Sequence, residues 1–283
     1  MQKNPVRHRM EEEVFPSRPS ALVRGFATKN YSFPMHDHSF YEINIIMEGR
    51  GKHYLASGCV DALPGDVFVI PPSVPHGYES GEENFNVYHL ILKDAFFACY
   101  GEQIRLLRGY SHLFAIEPYL RAREHQLFLK LEFEELLAFS KQMEIFSQLE
   151  ADTSLEADTF RSIRALSVIA GLCHSMTMSM QRSDSGLLAD YAAMSESLHY
   201  MHSNLSEKLR IDELAAMAGM SRATYIRKFR KLFDKPPMAY ILQCRIREAE
   251  KRIAYGQVKT QVAQECGFYD VSHMERALAK RKE

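Results

Sequence analysis

The sequence has no tryptophan, no long apolar run and few cysteines. The last two features exclude particular classes of protein. Because no stretch of about 18 apolar residues occurs, the sequence predicts no membrane-spanning helix. The N-terminal stretch MQKNPVRHRMEEE lacks the apolar core of a secretion signal. We therefore expect a cytoplasmic protein without a membrane partner.

The cysteines are scattered along the chain and odd in number. They are Cys59, Cys99, Cys173, Cys244 and Cys266. Their spacing includes no C-x-x-C pair, which argues against a cysteine metal site and against a disulfide framework. This usage fits a reducing compartment.

The net charge of −1 conceals an asymmetry along the 283 residues. From Asp190 onward the chain has 17 Lys+Arg against 12 Asp+Glu, whereas the rest has 18 against 24. A basic C-terminal third beside an acidic remainder is typical of a DNA-binding module joined to a module with another task. The length also suggests two domains.

The stretch from Ile211 to Phe233 predicts two short helices joined by a tight turn. Gly219 supplies the positive φ that ends the first helix, and Ser221 can cap the second. The second helix has an apolar face at helical spacing, formed by Tyr225, Phe229 and Leu232, and its other surface is basic. Such a motif places its second helix in a DNA major groove. The alternative is a helical hairpin with a solvated basic face.

A second helix–turn–helix motif is predicted after a long amphipathic helix that runs to about Tyr255. The apolar face of that linker helix carries Met238, Ile241, Leu242, Ile246, Ala249 and Ile253. The second motif turns at Gly267-Phe268, and either Asp270 or Ser272 can cap its last helix.

Two such motifs joined by a rigid helix resemble the DNA-binding half of the AraC family of bacterial transcription regulators. The matching segments are IDELA, AGMS, the Arg245/Ala249 pair and VA-x-x-x-GF-x-D-x-S, within a region from about Ala192 to the end. The sequence departs from the family pattern at Asp234, where glycine is usual, and at Met274 and Leu278, where phenylalanine is usual. It also ends at Glu283, before the family's closing turn and helix, which leaves open whether the second motif reads bases.

The resemblance implies roles on DNA for individual residues. In the first motif the groove-facing residues would be Ala223, Ile226 and Arg227, with Arg227 as a bidentate guanine contact. The equivalent residues of the second motif are Ser272, Glu275 and Arg276. Phosphate contacts would come from Lys208, Arg222 and Arg230.

From Leu22 to about Leu92 the sequence alternates short β segments with turn signals, which predicts a small sandwich or barrel. Within it, the spacing of histidines and a carboxylate resembles the two cupin motifs. Their metal ligands would map to His36, His38, Glu42 and His76. Two histidines at i and i+2 leave one face of a strand, and a carboxylate four residues on keeps that parity.

This N/O ligand set suits one divalent transition metal such as Zn, Ni, Fe or Mn. Ser73 and Ser80 depart from the second cupin motif, which usually has glycine and asparagine there. The alternative is a metal-free pocket in which the histidines form a satisfied polar cluster.

Strand parity and the family's PP-x-x-x-H-x-Y and Y-H segments select candidates for binding a small effector. They are Arg24, Asn44, Glu48, Tyr78 and His89, each of which could instead be a rim or core residue. Their amide, carboxylate, imidazole and phenol groups suit a polyhydroxylated ligand. The segment from Phe114 to Glu124 is also similar to rhamnose-type regulators of the family.

After about His125 the apolar period becomes helical. One stripe comprises Leu127, Leu131, Leu136, Phe139, Met143 and Phe146, and another comprises Phe160, Ile163, Leu166, Ile169, Ala170 and Cys173. By resemblance these helices form a dimerisation hairpin, and the alternative is a helical cover on the barrel.

The expected fold class is α+β: an N-terminal cupin-like β-barrel with a helical hairpin, followed by an all-α double helix-turn-helix domain. The expected boundaries are a mobile N-terminal arm (1–20), the effector-binding barrel (21–124), the dimerisation or cover region (125–180), a linker (181–189) and the DNA-binding domain (190–283).

The expected function is a sequence-specific transcription regulator that responds to a small polar effector, such as a sugar. In this family such regulators are more often activators. The expected partners are double-stranded DNA, the effector, a second copy of the chain and, by resemblance, RNA polymerase. A metal-responsive regulator is an alternative. A cupin metalloenzyme, an isomerase or dioxygenase fused to a DNA module, is a further one, although the DNA module argues against an enzyme.

Overall fold

The computed structural model describes residues 7–9, 11–15, 21–81, 84–118, 121, 129–182, 186–254 and 256–279. The chain divides into two compact units, Met1–Gln181 and Arg182–Glu283. The first contains two β-sheets with helices and the second is helical, so the predicted α+β class is confirmed. None of the helices in these ranges combines the length and apolarity needed to cross a membrane.

The first unit is built on nine described strands. They are β1 (Arg7–Arg9), β2 (Val23–Thr28), β3 (Phe33–His38), β4 (Tyr41–Glu48), β5 (Gly51–Leu55), β6 (Gly58–Ala62), β7 (Val67–Ile70), β8 (His76–Glu79) and β9 (Asn86–Leu92). Its helices are α1 (Glu11–Val14), α2 (Asp94–Arg105), α3 (Phe133–Gln148) and α4 (Leu155–Arg182), with a π-helical turn at His112–Ile116.

The strands form two sheets and not one closed barrel. One sheet has the order β1-β3-β8-β5-β6 and the other has the order β2-β9-β4-β7. β4 is buried on both faces. Ile43 and Ile45 pack into the core formed with α3 and α4. Ile46, on the alternate face, packs with Phe68 and with Tyr78 from the opposite sheet. The space between the two sheets is called the interior below.

The described part of the predicted arm packs against the sheets. β1 pairs in parallel with β3, and Val14 and Phe15 are buried in a cluster with Phe40 and Ile91. Arg24 Nη1 donates to the Val14 carbonyl oxygen at 2.6 Å. Residues 11–15 therefore lie at the rim of the interior.

The predicted helical stripes need two corrections. α3 begins at Phe133, because Glu132 and Glu135 form a capping box at its start. Leu131, predicted on the helix, therefore precedes it. Leu127 lies outside the described residues. On α4, Phe160 and Ile163 are 49% and 54% exposed. The buried stripe of α4 is the neighbouring face, which carries Ala165, Val168, Ile169, Leu172, Cys173 and Met176.

The second unit consists of α5 (Gly186–Ser203), α6 (Ile211–Met217), α7 (Arg222–Phe233), α8 (Pro237–Ala254), α9 (Lys259–Glu265) and α10 (Val271–Ala279). α5 begins inside the range predicted as a linker, and residues 183–185 lie outside the described residues. The predicted cap and core of the first motif are confirmed, since the Ser221 side chain accepts from Thr224 N, and Tyr225 and Phe229 are buried. Asp234 adopts φ 55° where the family usually has glycine.

In the second motif Asp270 is the cap, because its Oδ1 accepts from His273 N at 2.6 Å. Gly267 has φ 73°, and a Cβ there would come within 2.2 Å of the Leu205 carbonyl oxygen. Met274 is fully buried and fills the phenylalanine position of the family pattern. On the predicted apolar face of the linker helix, Ile241, Ile246 and Ala249 are buried, and Ile246 and Ala249 pack with the second motif. Met238 and Leu242, on the same face, are 46% and 38% exposed.

Candidate functional site

The predicted metal ligands converge in the interior, although one step of the strand-parity argument was wrong. His36 and His76 are register partners on β3 and β8, with ring centroids 4.2 Å apart. Glu42 was expected to continue the strand of His36 and His38. It lies instead on β4 in the other sheet, because the chain turns at Ser39. Its carboxylate therefore meets the imidazoles from across the interior.

Glu42 is the centre of this cluster. Its Oε2 lies 3.1 Å from His38 Nε2 and 3.3 Å from His76 Nε2. Its Oε1 lies 2.8 Å from His89 Nδ1, so a residue predicted as an effector contact joins the predicted metal ligands. Potential ligand atoms of His36, Glu42 and His76 all lie within 4.8 Å of one another.

Backbone carbonyls orient three of the imidazoles. Nδ1 of His36, His38 and His76 lies 3.0, 2.7 and 3.1 Å from the carbonyl oxygens of Pro34, Phe40 and Val74, respectively. Because a carbonyl only accepts, Nδ1 of each ring carries a proton, and Nε2 is left to face Glu42 or a cation. Metal-binding histidines are commonly oriented by such a bond on the nitrogen that does not bind the metal.

The electrostatics of the cluster also fit a cation. Burial by itself raises the pKa of Glu42, but hydrogen bonds with His38, His76 and His89 outweigh it and hold this pKa well below its usual range. Burial lowers the pKa of His36 to about 4, so that this ring is neutral at pH 7. Where an Nε2 atom carries no proton, an ionised carboxylate beside it requires a cation between them. The donor set therefore fits a divalent transition metal.

The effector candidates divide into an interior group and a rim group. Asn44 Nδ2 donates to Tyr78 Oη at 3.1 Å from one sheet to the other, and both residues are buried. His89 is buried between Phe26, whose ring stacks on it with centroids 4.9 Å apart, and the edge of Tyr31. These three candidates line the interior.

The other two candidates do not. Glu48 is exposed and accepts from Asn86 Nδ2 at 2.7 Å, because a register shift between Ile46 and Glu48 ends the alternation of β4. Arg24 lies at the rim, where it donates to Val14 and Glu150. Glu48 therefore does not line the interior with Asn44.

Sequence reasoning missed three buried polar residues. His53 on β5 stacks on Tyr78 with ring centroids 4.5 Å apart. Arg121 Nη1 donates to His53 Nδ1 at 3.2 Å, and Arg121 Nε lies 3.0 Å from Glu117 Oε1. The i, i+4 spacing of Glu117 and Arg121 was a readable signal for an ion pair on one helix face. Nothing in the local sequence indicated that this pair would reach His53.

The predicted DNA-contacting residues lie on the surface of the second unit. On α7, Ala223, Arg227 and Arg230 are exposed, and Ile226 is half-buried. Arg222 is exposed and donates to Asp212 from the first helix of the motif at 2.9 Å. Lys208 is exposed as well.

The second motif presents a mixed surface. Its predicted contacts Ser272, Glu275 and Arg276 are exposed on α10. Lys259 Nζ donates to Glu275 Oε1 at 2.7 Å, so an acidic group on this face already has a basic partner. Tyr269, in the turn between the two helices, is 94% exposed and was not selected from the sequence.

Comparisons with known proteins match both units. The model of the AraC-like ligand binding domain matches residues 21–169, and a helix-turn-helix domain model matches residues 214–283. An uncharacterized HTH-type transcriptional regulator, YbfI of Bacillus subtilis, is 24% identical over 254 residues, which are 86% of this chain and 81% of YbfI. The HTH-type transcriptional activator RhaS of Pectobacterium carotovorum is 22% identical over 270 residues, 95% of this chain and 91% of RhaS. Among solved structures, ToxT from Vibrio cholerae O395 is 15% identical, with 92% of each chain covered and a TM-score of 0.36.

Proposed function

Because this chain belongs to the AraC family of transcription regulators, we propose that it is an activator whose effector is a small, sugar-type molecule bound in the interior. Family membership makes it a DNA-binding regulator with a ligand-binding domain and not an enzyme. The isomerase or dioxygenase alternative is therefore set aside.

The observation that supports a sugar-type effector is the polar lining of the interior. Asn44 Oδ1 and His89 Nε2 are buried and have no hydrogen-bond partner within the described part of the chain. A buried polar group without a partner costs about 1–3 kcal/mol. A ligand that carries hydroxyl groups would satisfy these atoms, whereas an aliphatic ligand would leave them buried and unsatisfied.

Contacts at one end of the interior suggest how the effector acts on the rest of the unit. The ring of His89 stacks on Phe26, and the Arg24 guanidinium lies 5.0 Å above the Phe26 ring. Arg24 in turn holds the Val14 carbonyl and Glu150, which follows α3. An effector that contacts His89 would change how firmly the arm and α3 are held. It can shift the population of the active arrangement only by its difference in affinity for the two arrangements.

The histidine cluster supports a bound metal as part of the same site. His36, His38, Glu42 and His76 would hold one divalent transition metal, such as Zn, Ni, Fe or Mn, through Nε2 atoms and a carboxylate oxygen. When bound, the ion would supply a Lewis-acid anchor for an effector oxygen. The same cluster supports a second candidate, a regulator for which the metal itself is the signal.

On DNA, the first motif would read bases through α7. Arg227 is exposed on that helix and would contact guanine with two hydrogen bonds, while Ala223 and Ile226 would contact thymine methyl groups. Arg222, Arg230 and Lys208 would bind phosphates. In the second motif Ser272 and Arg276 would add contacts, and Glu275 could accept from cytosine N4.

An exposed apolar surface on α4 supports a homodimer. Leu155, Phe160 and Ile163 are 78%, 49% and 54% exposed near the start of this helix. Large apolar side chains clustered on one helix surface mark protein contacts. The proposed occupant is α4 of a second copy, with RNA polymerase contacted by the DNA-bound dimer during activation.

Calorimetric titration of the full chain tests the effector proposal. The probes are L-rhamnose, L-arabinose and D-xylose, each added with and without Zn²⁺ or Ni²⁺. Binding of a neutral sugar that is weakened in Asn44→Leu and unchanged in Glu48→Gln supports the proposal, since only Asn44 lines the interior. Tight binding of a fatty acid, without any sugar binding, contradicts it.

A further inference from the structure

Three buried polar side chains that the proposed function does not use, Glu117, Arg121 and His53, contact one another in a row beside the histidine cluster. Arg121 connects three groups: Nη1 donates to His53 Nδ1 at 3.2 Å, Nη2 donates to the Val69 carbonyl at 2.6 Å, and Nε lies 3.0 Å from Glu117 Oε1. The exposed fractions of His53, Glu117 and Arg121 are 0%, 1% and 2%. Burying a guanidinium and a carboxylate costs free energy, because both lose their hydration, unless their mutual attraction and further hydrogen bonds offset that loss.

The contact with Arg121 fixes the tautomer of His53. A guanidinium only donates hydrogen bonds, so His53 Nδ1 must accept and carries no proton. Burial, and then the charge of Arg121, hold the pKa of His53 well below its usual range, which keeps the ring neutral. The single ring proton is therefore on Nε2. Within the described part of the chain this Nε2–H has no acceptor.

Two further groups border the same part of the interior. The His53 ring stacks on Tyr78 at an interplanar angle of 10°. Tyr78 Oη accepts from Asn44 Nδ2 at 3.1 Å, so its own proton is available to another acceptor. Asn44 Oδ1 is an acceptor without a donor in the described residues. The interior thus offers two N–H or O–H donors and one acceptor around Tyr78.

This combination distinguishes between classes of ligand. A hydroxyl group both accepts and donates, so it can satisfy donors and an acceptor together. A carboxylate only accepts, so it would leave the buried acceptor Asn44 Oδ1 without a donor. An ammonium group only donates. The lining is therefore complementary to a neutral alcohol.

We propose that His53, held as the Nε2–H tautomer by Arg121 and Glu117, donates a hydrogen bond to a hydroxyl oxygen of the effector and selects neutral sugars over sugar acids. The inference rests on the proposed function in one respect, namely that the effector binds in the interior. Arg121 and Glu117 act through His53 as positioning residues.

A purely structural role for Arg121 would have a different signature. β7 is an edge strand of its sheet, and Arg121 satisfies the outward carbonyl of Val69 while contacting β5 of the opposite sheet through His53. Such a bridge between sheets would affect stability alone. It would not make ligand selectivity depend on the protonated nitrogen of His53.

The tautomer can be measured directly by NMR of the full chain labelled with ¹⁵N-histidine. The His53 signals are identified by their loss in His53→Phe. We expect protonated Nε2 and bare Nδ1 in the wild type, and a mixture of tautomers in Arg121→Met. The matched control is Arg161→Met, which removes a buried arginine that bonds the Leu149 carbonyl and should leave His53 unchanged. A proton on Nδ1 of wild-type His53 overturns the inference.

Ligand selectivity is measured by calorimetry with L-rhamnose, L-arabinose and D-xylose against D-galacturonate and D-gluconate. We expect a neutral sugar to bind, and its affinity to fall about tenfold in His53→Phe, which removes one buried donor. His53→Gln keeps a side-chain N–H and should lie closer to the wild type. The bound sugar should also move the His53 Nε2 signal.

Three results would count against the proposal. Equal affinity of a neutral sugar for wild type and His53→Phe overturns the role of His53 but leaves the sugar-type effector standing. Preferential binding of a sugar acid overturns the proposed selectivity. Failure of every probe to bind the wild type removes the sugar-type effector itself, and the inference that rests on it falls with it.

Discussion

Glu42 Oε1 and His89 Nδ1 lie 2.8 Å apart, although one residue was predicted as a metal ligand and the other as an effector contact. They approach because β4 and β9 are antiparallel neighbours, and His89 is the register partner of Asn44. The two predicted sites are therefore one continuous polar surface in the interior. A ligand bound to either part would influence the hydrogen bonds of the other.

Metal occupancy depends on the cluster centred on Glu42. We expect untagged protein to carry a divalent transition metal, and the double variant His36→Ala/His76→Ala to lose it, because two Nε2 ligands are removed. Elemental analysis of both proteins measures this. His174→Ala, which removes an exposed histidine on α4, is the control and should retain the metal. Equal metal content in the double variant and the wild type would show that the ion is elsewhere.

Base reading by the first motif depends on Arg227. Arg227→Ala should weaken binding to the cognate site by about 1–3 kcal/mol and relax the preference at one base pair. Fluorescence anisotropy with the cognate site and with single-base variants measures both effects. Arg230→Ala should weaken binding similarly on all sequences, as loss of a phosphate contact does. If Arg227→Ala lost the same affinity on random DNA, the guanine contact would be ruled out.

The assembly depends on the apolar surface of α4. We expect Phe160→Glu/Ile163→Glu to be monomeric at concentrations at which the wild type is a dimer, because buried charges without partners oppose association. Sedimentation equilibrium gives the association state. Leu106→Glu is the control, since Leu106 is 67% exposed and follows α2. A wild-type chain that sediments as a monomer would remove the dimer proposal.

The buried Glu117 should make stability depend on pH. Burial raises the pKa of Glu117 to about 7, while the value in an unfolded chain is about 4.3. Between these values the folded state holds a proton that the unfolded state has lost, so this residue's contribution to stability falls as pH rises. Below about 4.3 the contribution is fully present, and above about 7 it is lost.

Urea unfolding of the wild type and Glu117→Gln at intervals from pH 5 to 8 measures this dependence. The stability of the wild type relative to the variant should decrease across that range. The variant cannot ionise at this position, so the difference isolates the carboxyl group. A difference that is constant with pH, or that grows, would show that Glu117 is ionised throughout.

Much of the fold was readable because periodicity and turn chemistry are local. Gly219, Ser221 and Asp270 act at the turns and caps where their residue types predict, and Tyr225 and Phe229 are buried as their spacing predicts. The short strands predicted between Leu22 and about Leu92 are confirmed by β2 to β9, which run from Val23 to Leu92. Local patterns sufficed where each element's own residues determine its structure.

The predictions that failed concern side chains whose positions depend on contacts between elements distant in sequence. Parity along a strand could not reveal that the chain passes from one sheet to the other between His38 and Glu42. The register shift that exposes Glu48 depends on the pairing with β9. The polar chain from Glu117 to His53 joins residues far apart in sequence, so no local spacing could predict it. On α4 the helical period fitted two adjacent faces, and packing selected the one without Phe160.

Regulation by a sugar is tested most directly by the affinity of the full chain for its cognate DNA, selected from a random library, with and without the sugar that binds. The metal content is held constant in both measurements. We predict that the sugar changes the affinity by about fivefold or more in the wild type and has no effect in Asn44→Leu, whose interior lacks the Asn44 amide. A DNA affinity that responds to a metal chelator but to no sugar would contradict the account and identify the metal as the signal.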